Sequence, residues 1–131
     1  MITLILTGCK INTIECNKKE IKNEIEENNS IIIELKNNQI INMKFSSEIT
    51  MPEKFLNQKD ILSSNIKEQY ERIEQEYNIK PDITETETGT RIEFEMKEEQ
   101  IKDFYNSKTT MTTTKEIIKE FTKQGYICEK K

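Results

Sequence analysis

The sequence predicts an α+β fold: a two-layer sandwich in which a mainly antiparallel sheet of hairpins is covered on one face by two to three helices. Three observations predict it. β-Branched runs occur in pairs joined by turn residues, and between the two pairs the apolar spacing switches to that of a helix. Charged residues make up 34% of the chain and apolar ones also 34%, so the core is thin and most elements must show one face to water. The 131 residues fit one domain, large enough to bury a single core.

The elements follow in order. Residues 13–17, "TIECN", read as a short strand, and residues 20–27, "EIKNEIEE", as another at the edge of the sheet. "SIIIELK" and "QIINMKFSSEIT" then form a hairpin around Asn37 and Asn38, residues that tolerate the left-handed conformation of a tight turn. Ile31, Ile33 and Leu35 are expected to share one face with Ile41, Met43 and Phe45. Pro52 closes that strand. From Lys59 to Asn78 the apolar residues Leu62, Ile66, Tyr70, Ile73 and Tyr77 recur at helical spacing, and Pro81 ends the helix. "DITETETGTRIEFEM" alternates on both sides of Thr88 and Gly89, a second hairpin with Ile92, Phe94 and Met96 pointing inward. A short helix follows in "EEQIKDFYN". Thr113 and Glu116 make a capping-box pattern before a last helix with Ile117, Ile118 and Phe121 as its buried stripe. Gly125 suits the position after that helix, and "YIC" at 126–128 reads as a final strand.

Composition excludes several kinds of chemistry. The 24 acidic and 20 basic residues give a net charge of -4 with the signs interspersed, which leaves no basic stripe for nucleic acid. There is no histidine, so triads that use an imidazole base and the commonest zinc ligand are both out of reach. The three cysteines, Cys9, Cys16 and Cys128, contain no CxxC pair. Neither a metal nor an organic cofactor is expected, and no constellation of residues argues for an enzyme.

The opening "MITLILTGC" has two readings. As a strand, Ile2, Leu4 and Leu6 would be buried with a thiol at Cys9. As an export signal, an apolar run ends in small residues before a cysteine, and Leu6-Thr7-Gly8-Cys9 resembles a bacterial lipobox. In a lipobox the cysteine sulfur receives diacylglycerol, a peptidase cuts before it, and the cysteine becomes the mature N-terminus. The residue types suit that chemistry, because a thiol is readily alkylated and glycine opens the scissile bond to the protease. A complete signal also carries a basic start, whereas no basic residue precedes Cys9, so residues 1–8 are expected to be the remnant of a leader. Residues 9–131 are then one extracytoplasmic domain, with 10–29 as a tether or edge strands.

The stretches "MKFSSEITM", "IEQEYNIKPDITETETGTRIEFEM" and "MTTTKEIIKEFTKQGYICEKK" resemble the YehR-like family of small bacterial lipoproteins, from about Ile31 to the C-terminus. The resemblance implies a two-layer sandwich, export and lipid attachment at Cys9. It implies no activity, since the family has no established catalytic residues to carry over. Cys16 and Cys128 stand outside the family pattern.

The expected function is therefore that of a lipid-anchored surface protein on the extracytoplasmic face of a bacterial membrane, acting as a non-catalytic binding or accessory module. The membrane, reached through the lipid, is an expected partner, nucleic acid is not, and a protein or small-molecule partner stays open. The alternatives are a soluble intracellular domain with residues 1–8 as a core strand, and a small hydrolase. Once lipid occupies Cys9, Cys16 and Cys128 can meet as a disulfide or stay as two buried thiols. Glu85, Glu87, Glu93 and Glu95 can line one face of the second hairpin as a cation site, although a solvated sheet face explains them as well. The threonines of "TTMTTT", 109–114, read as helix capping rather than as a binding loop, and Tyr70 and Tyr77 as core.

Overall fold

Alternation of β-branched and polar residues generates three consecutive strands of twelve residues, β1 (Ile11–Lys22), β2 (Ile25–Lys36) and β3 (Gln39–Thr50), in a computed structural model that describes residues 10–131. Both turns between them use paired positive φ angles, 51° and 69° at Asn23 and Glu24 and 53° and 57° at Asn37 and Asn38. Two such residues in succession give a hairpin the twist of its strands. A 3₁₀ turn (Glu53–Gln58) leads into α1 (Lys59–Tyr77), followed by β4 (Asp82–Glu85) and β5 (Gly89–Lys97). Helices α2 (Glu98–Phe104) and α3 (Thr114–Lys123) precede the last strand, β6 (Ile127–Lys130).

The strands form one antiparallel sheet in the order β4-β5-β3-β2-β1-β6. Register decides which side is buried. Ile14, Ile33, Met43 and Met96 lie opposite one another across four strands, and so do Cys16, Ile31, Phe45 and Phe94. These two rows share a face and make the core with Ile79, just beyond α1, and with Ile101 and Ile117 of the helical layer. The rows on the other face, such as Glu15, Ile32, Lys44 and Glu95, meet solvent. The architecture is α+β, with a sheet covered on one face by helices. Among the described residues the outermost strands, β4 and β6, have four residues each and pair with only part of β5 and β1.

Three expectations need correction. Residues 20–27 are not a strand of their own: Asn23 and Glu24 turn the chain there, and the flanking residues extend β1 and β2. Residues 11–22 are a strand of the sheet rather than a tether, and β6 pairs along the outer side of β1 at Ile14–Asn17. Ile41 does not face the core, since a β-bulge opposite Glu34 and Leu35 makes Ile41 the extra residue and sets Ile40 against Leu35. Ile40 therefore packs on the core in its place.

The helix ends follow local chemistry. Asn78 terminates α1 in the left-handed conformation, and its carbonyl accepts from Gln100 Nε2 at 2.7 Å, tying the end of α1 to α2. Beyond α3, Gly125 has φ 95°, Tyr126 N–H donates to the Phe121 carbonyl and Gly125 N–H to that of Thr122. This is a Schellman ending, completed by the Phe121 and Tyr126 rings 5.5 Å apart. It reverses the chain into β6.

One polar pair is buried between helix and sheet, where Ser63 Oγ of α1 lies 2.7 Å from Thr90 Oγ1 of β5. Ser63→Ala would strand the Thr90 hydroxyl in the core and should cost about 2 kcal/mol. Replacing both partners, Ser63→Ala with Thr90→Val, should recover most of that loss, because no unpaired hydroxyl remains. Urea midpoints of the two variants test this, and a double variant no more stable than the single one would contradict it.

Candidate functional site

The segment 105–112 between α2 and α3 builds one rim of an apolar groove. It is held against the start of β3 by backbone bonds, Ile40 N–H to the Thr110 carbonyl and Thr112 N–H to that of Asn38, each 2.9 Å. Within it, Ser107 Oγ donates to the Thr109 carbonyl at 2.8 Å and Met111 N–H to Thr109 Oγ1 at 3.0 Å. Thr110, itself buried, donates its hydroxyl to Glu98 of α2 at 3.4 Å. The threonine tract is thus a braced strap, fixed at both ends.

The groove encloses about 390 Å³, within the range of small-ligand sites. Ile40 and Met43 of β3, Ile101 of α2 and Ile117 and Phe121 of α3 give it an apolar lining. Tyr105 and Met111 are 48% and 66% exposed, so they act as lips rather than as core. Polar groups sit at the rim: hydroxyls of Ser107, Thr109 and Thr112, and the carboxylates of Glu116 and Glu120. Such a cavity can take an apolar body and fix its orientation at the polar edge.

Among the threonines, Thr113 caps α3 by accepting from Glu116 N–H at 3.1 Å. The capping box is only half formed, because the Glu116 side chain turns away and accepts from Thr112 Oγ1 at 3.1 Å. Capping thus explains Thr113, while Thr109, Thr110 and Thr112 line the groove. Nothing in the sequence marked the groove as a unit, although an exposed methionine inside a threonine tract is a usable sign.

The remaining candidate residues fall as follows. Leu6, Thr7, Gly8 and Cys9 lie outside the described residues. Cys16 and Cys128 are brought together and joined by a disulfide, with Cα atoms 4.0 Å apart at directly paired positions of β1 and β6. Glu85, Glu87, Glu93 and Glu95 are exposed. Glu95 has Lys97 at 2.6 Å and Lys44 at 4.0 Å, and bonding to Lys97 holds its carboxyl below the ordinary value. Among the described residues no group of three Cys, Asp or Glu side chains is arranged to hold a metal. Tyr70 packs on Phe94 and Tyr77 on Phe104, with ring centroids 5.9 and 5.3 Å apart. Burial raises the Tyr70 phenol above its usual value, and the Glu27 carboxylate adds to the shift.

Among the described residues no helix is long and apolar enough to cross a membrane. Compared with protein-family models, curated proteins and solved structures, the chain matches none.

Proposed function

We propose that this chain is a lipid-anchored binding module on the extracytoplasmic face of a bacterial membrane, attached by diacylglycerol at Cys9 and taking its ligand in the groove between α2, α3 and residues 105–112. The Cys16–Cys128 disulfide carries the reading. Disulfides persist in oxidising compartments and are rare where thiols are kept reduced, so a bridge between β1 and β6 favours an exported chain. The Leu6-Thr7-Gly8-Cys9 pattern supports attachment at Cys9, two residues ahead of β1 in the sequence. The resemblance to YehR-like lipoproteins supports the same location. Two acyl chains suffice for stable anchoring, each buried methylene contributing about 0.8 kcal/mol. Binding rather than catalysis is proposed because the groove offers an apolar surface with a polar rim, the composition of a recognition site.

The test is the mass of the N-terminal peptide of protein expressed from its native gene in its bacterial host, after membranes are separated from the soluble fraction. The expected result is a diacylglyceryl-modified Cys9 in the membrane fraction, lost in a Cys9→Ala variant. Unmodified Met1 in the soluble fraction would overturn the anchoring and favour a strand at residues 1–8.

A further inference from the structure

We propose that the groove selects small cationic amphiphiles, molecules with a short apolar body and one protonated amine, over anionic ones of the same length. The apolar lining of Ile40, Ile101, Ile117 and Phe121 sets the first requirement. Charge at the mouth sets the second. Glu116 and Glu120 project from α3 one helical turn apart, a spacing at which like charges repel. Neither forms an ion pair among the described residues; Lys115, Lys119 and Lys123 share the helix but do not line the groove. Glu116 Oε2 accepts from Thr112 Oγ1 at 3.1 Å and Glu120 Oε1 from Gln124 Nε2 at 3.5 Å, which leaves the second oxygen of each carboxylate open to a donor. An ammonium at the mouth would relieve the repulsion and accept both carboxylates as partners, while its alkyl chain lies on Ile101 and Ile117. The Tyr105 ring at the lip offers a further face to a cation. A carboxylate ligand would add a third negative charge to the same place.

This inference rests on the binding-module reading only in taking the groove as a ligand site. Its test is an NMR titration of the whole chain with hexylammonium, hexanol and hexanoate in parallel. Hexylammonium should saturate with shifts confined to the amides around Ile101, Met111 and Ile117, about tenfold tighter than hexanoate, as expected for two exposed charge contacts. Glu116→Gln with Glu120→Gln should erase that preference, hexylammonium and hexanoate then binding alike. Both side chains are exposed, so the double variant should melt like the parent. Equal affinity for hexylammonium and hexanoate would overturn the charge selection, and no saturable shift with any of the three would overturn the site. Neither outcome touches the anchoring, which the mass of the Cys9 peptide tests separately.

Discussion

Breaking the Cys16–Cys128 bridge should lower the stability of the domain by about 4 kcal/mol. The bridge spans 112 residues of sequence, and a closed loop of about 100 residues is credited with about 4.7 kcal/mol of lost unfolded-state entropy. A domain of this size has about 5–15 kcal/mol in total, so the loss removes a large share of it. The loss has a local side as well. β6 is a strand of four residues at the end of the sheet, bonded only to β1 among the described residues. Its remaining ties are the ladder bonds to β1, packing against α3 and the surface ion pair of Lys131 with Glu15, which contributes little. Cys16→Ala with Cys128→Ala is the cleaner variant, since neither alanine places a new polar group in the core. Its urea midpoint should fall by about 2–3 M, and the amides of Ile127–Lys130 should exchange before those of β2 and β3. A midpoint within about 0.5 M of the parent, with both substitutions verified by mass, would mean that the bridge contributes about 1 kcal/mol or less.

What the sequence revealed depended on whether an element has one wet face and one dry one. α1 was legible because Ile66, Ile73 and Tyr77 all pack toward the sheet, and the β2–β3 hairpin because Ile31, Ile33 and Leu35 lie under the helices. The outer half of the β1–β2 hairpin was not. Burial alternates at Ile14 and Cys16, but from Asn17 to Glu24 no residue is buried, so there is no period to read. Its turn lacks the usual glycine, using Asn23 and Glu24 at positive φ instead. The bulge at Ile41 was hidden for a different reason, since two isoleucines in succession fit either register until Leu35 chooses Ile40. The groove was hidden by distance along the chain. Ile40, Ile101, Met111 and Phe121 come from four separate segments, and each reads singly as ordinary core or surface.

Gly89→Ala should destabilise the fold by about 3 kcal/mol or more. Gly89 opens β5 opposite Thr50 of β3, and a Cβ built there would lie 1.8 Å from the Ile49 carbonyl oxygen and 2.8 Å from its carbon. Both atoms are backbone in an interior strand. A flexible side chain could swing aside, but a carbonyl in a ladder moves only with its strand, so β3 and β5 must part at this end. Parting them reaches other contacts. Thr86 N–H donates to the Gly89 carbonyl at 2.9 Å and Met51 N–H to that of Thr88 at 2.7 Å, so the β4–β5 turn and the exit of β3 share this corner. The next residue is Thr90, whose hydroxyl meets Ser63 of α1 at 2.7 Å, and a shift of β5 would pull that buried pair apart. The damage would therefore pass from hairpin to sheet to helix. Thr88→Ala is the control, an exposed neighbour in the same turn expected to stay within about 0.5 kcal/mol of the parent. Urea denaturation of the two variants decides it: a Gly89→Ala protein as stable as the control would show that β3 yields at Ile49, and that the close approach of the two strands is not what holds the corner.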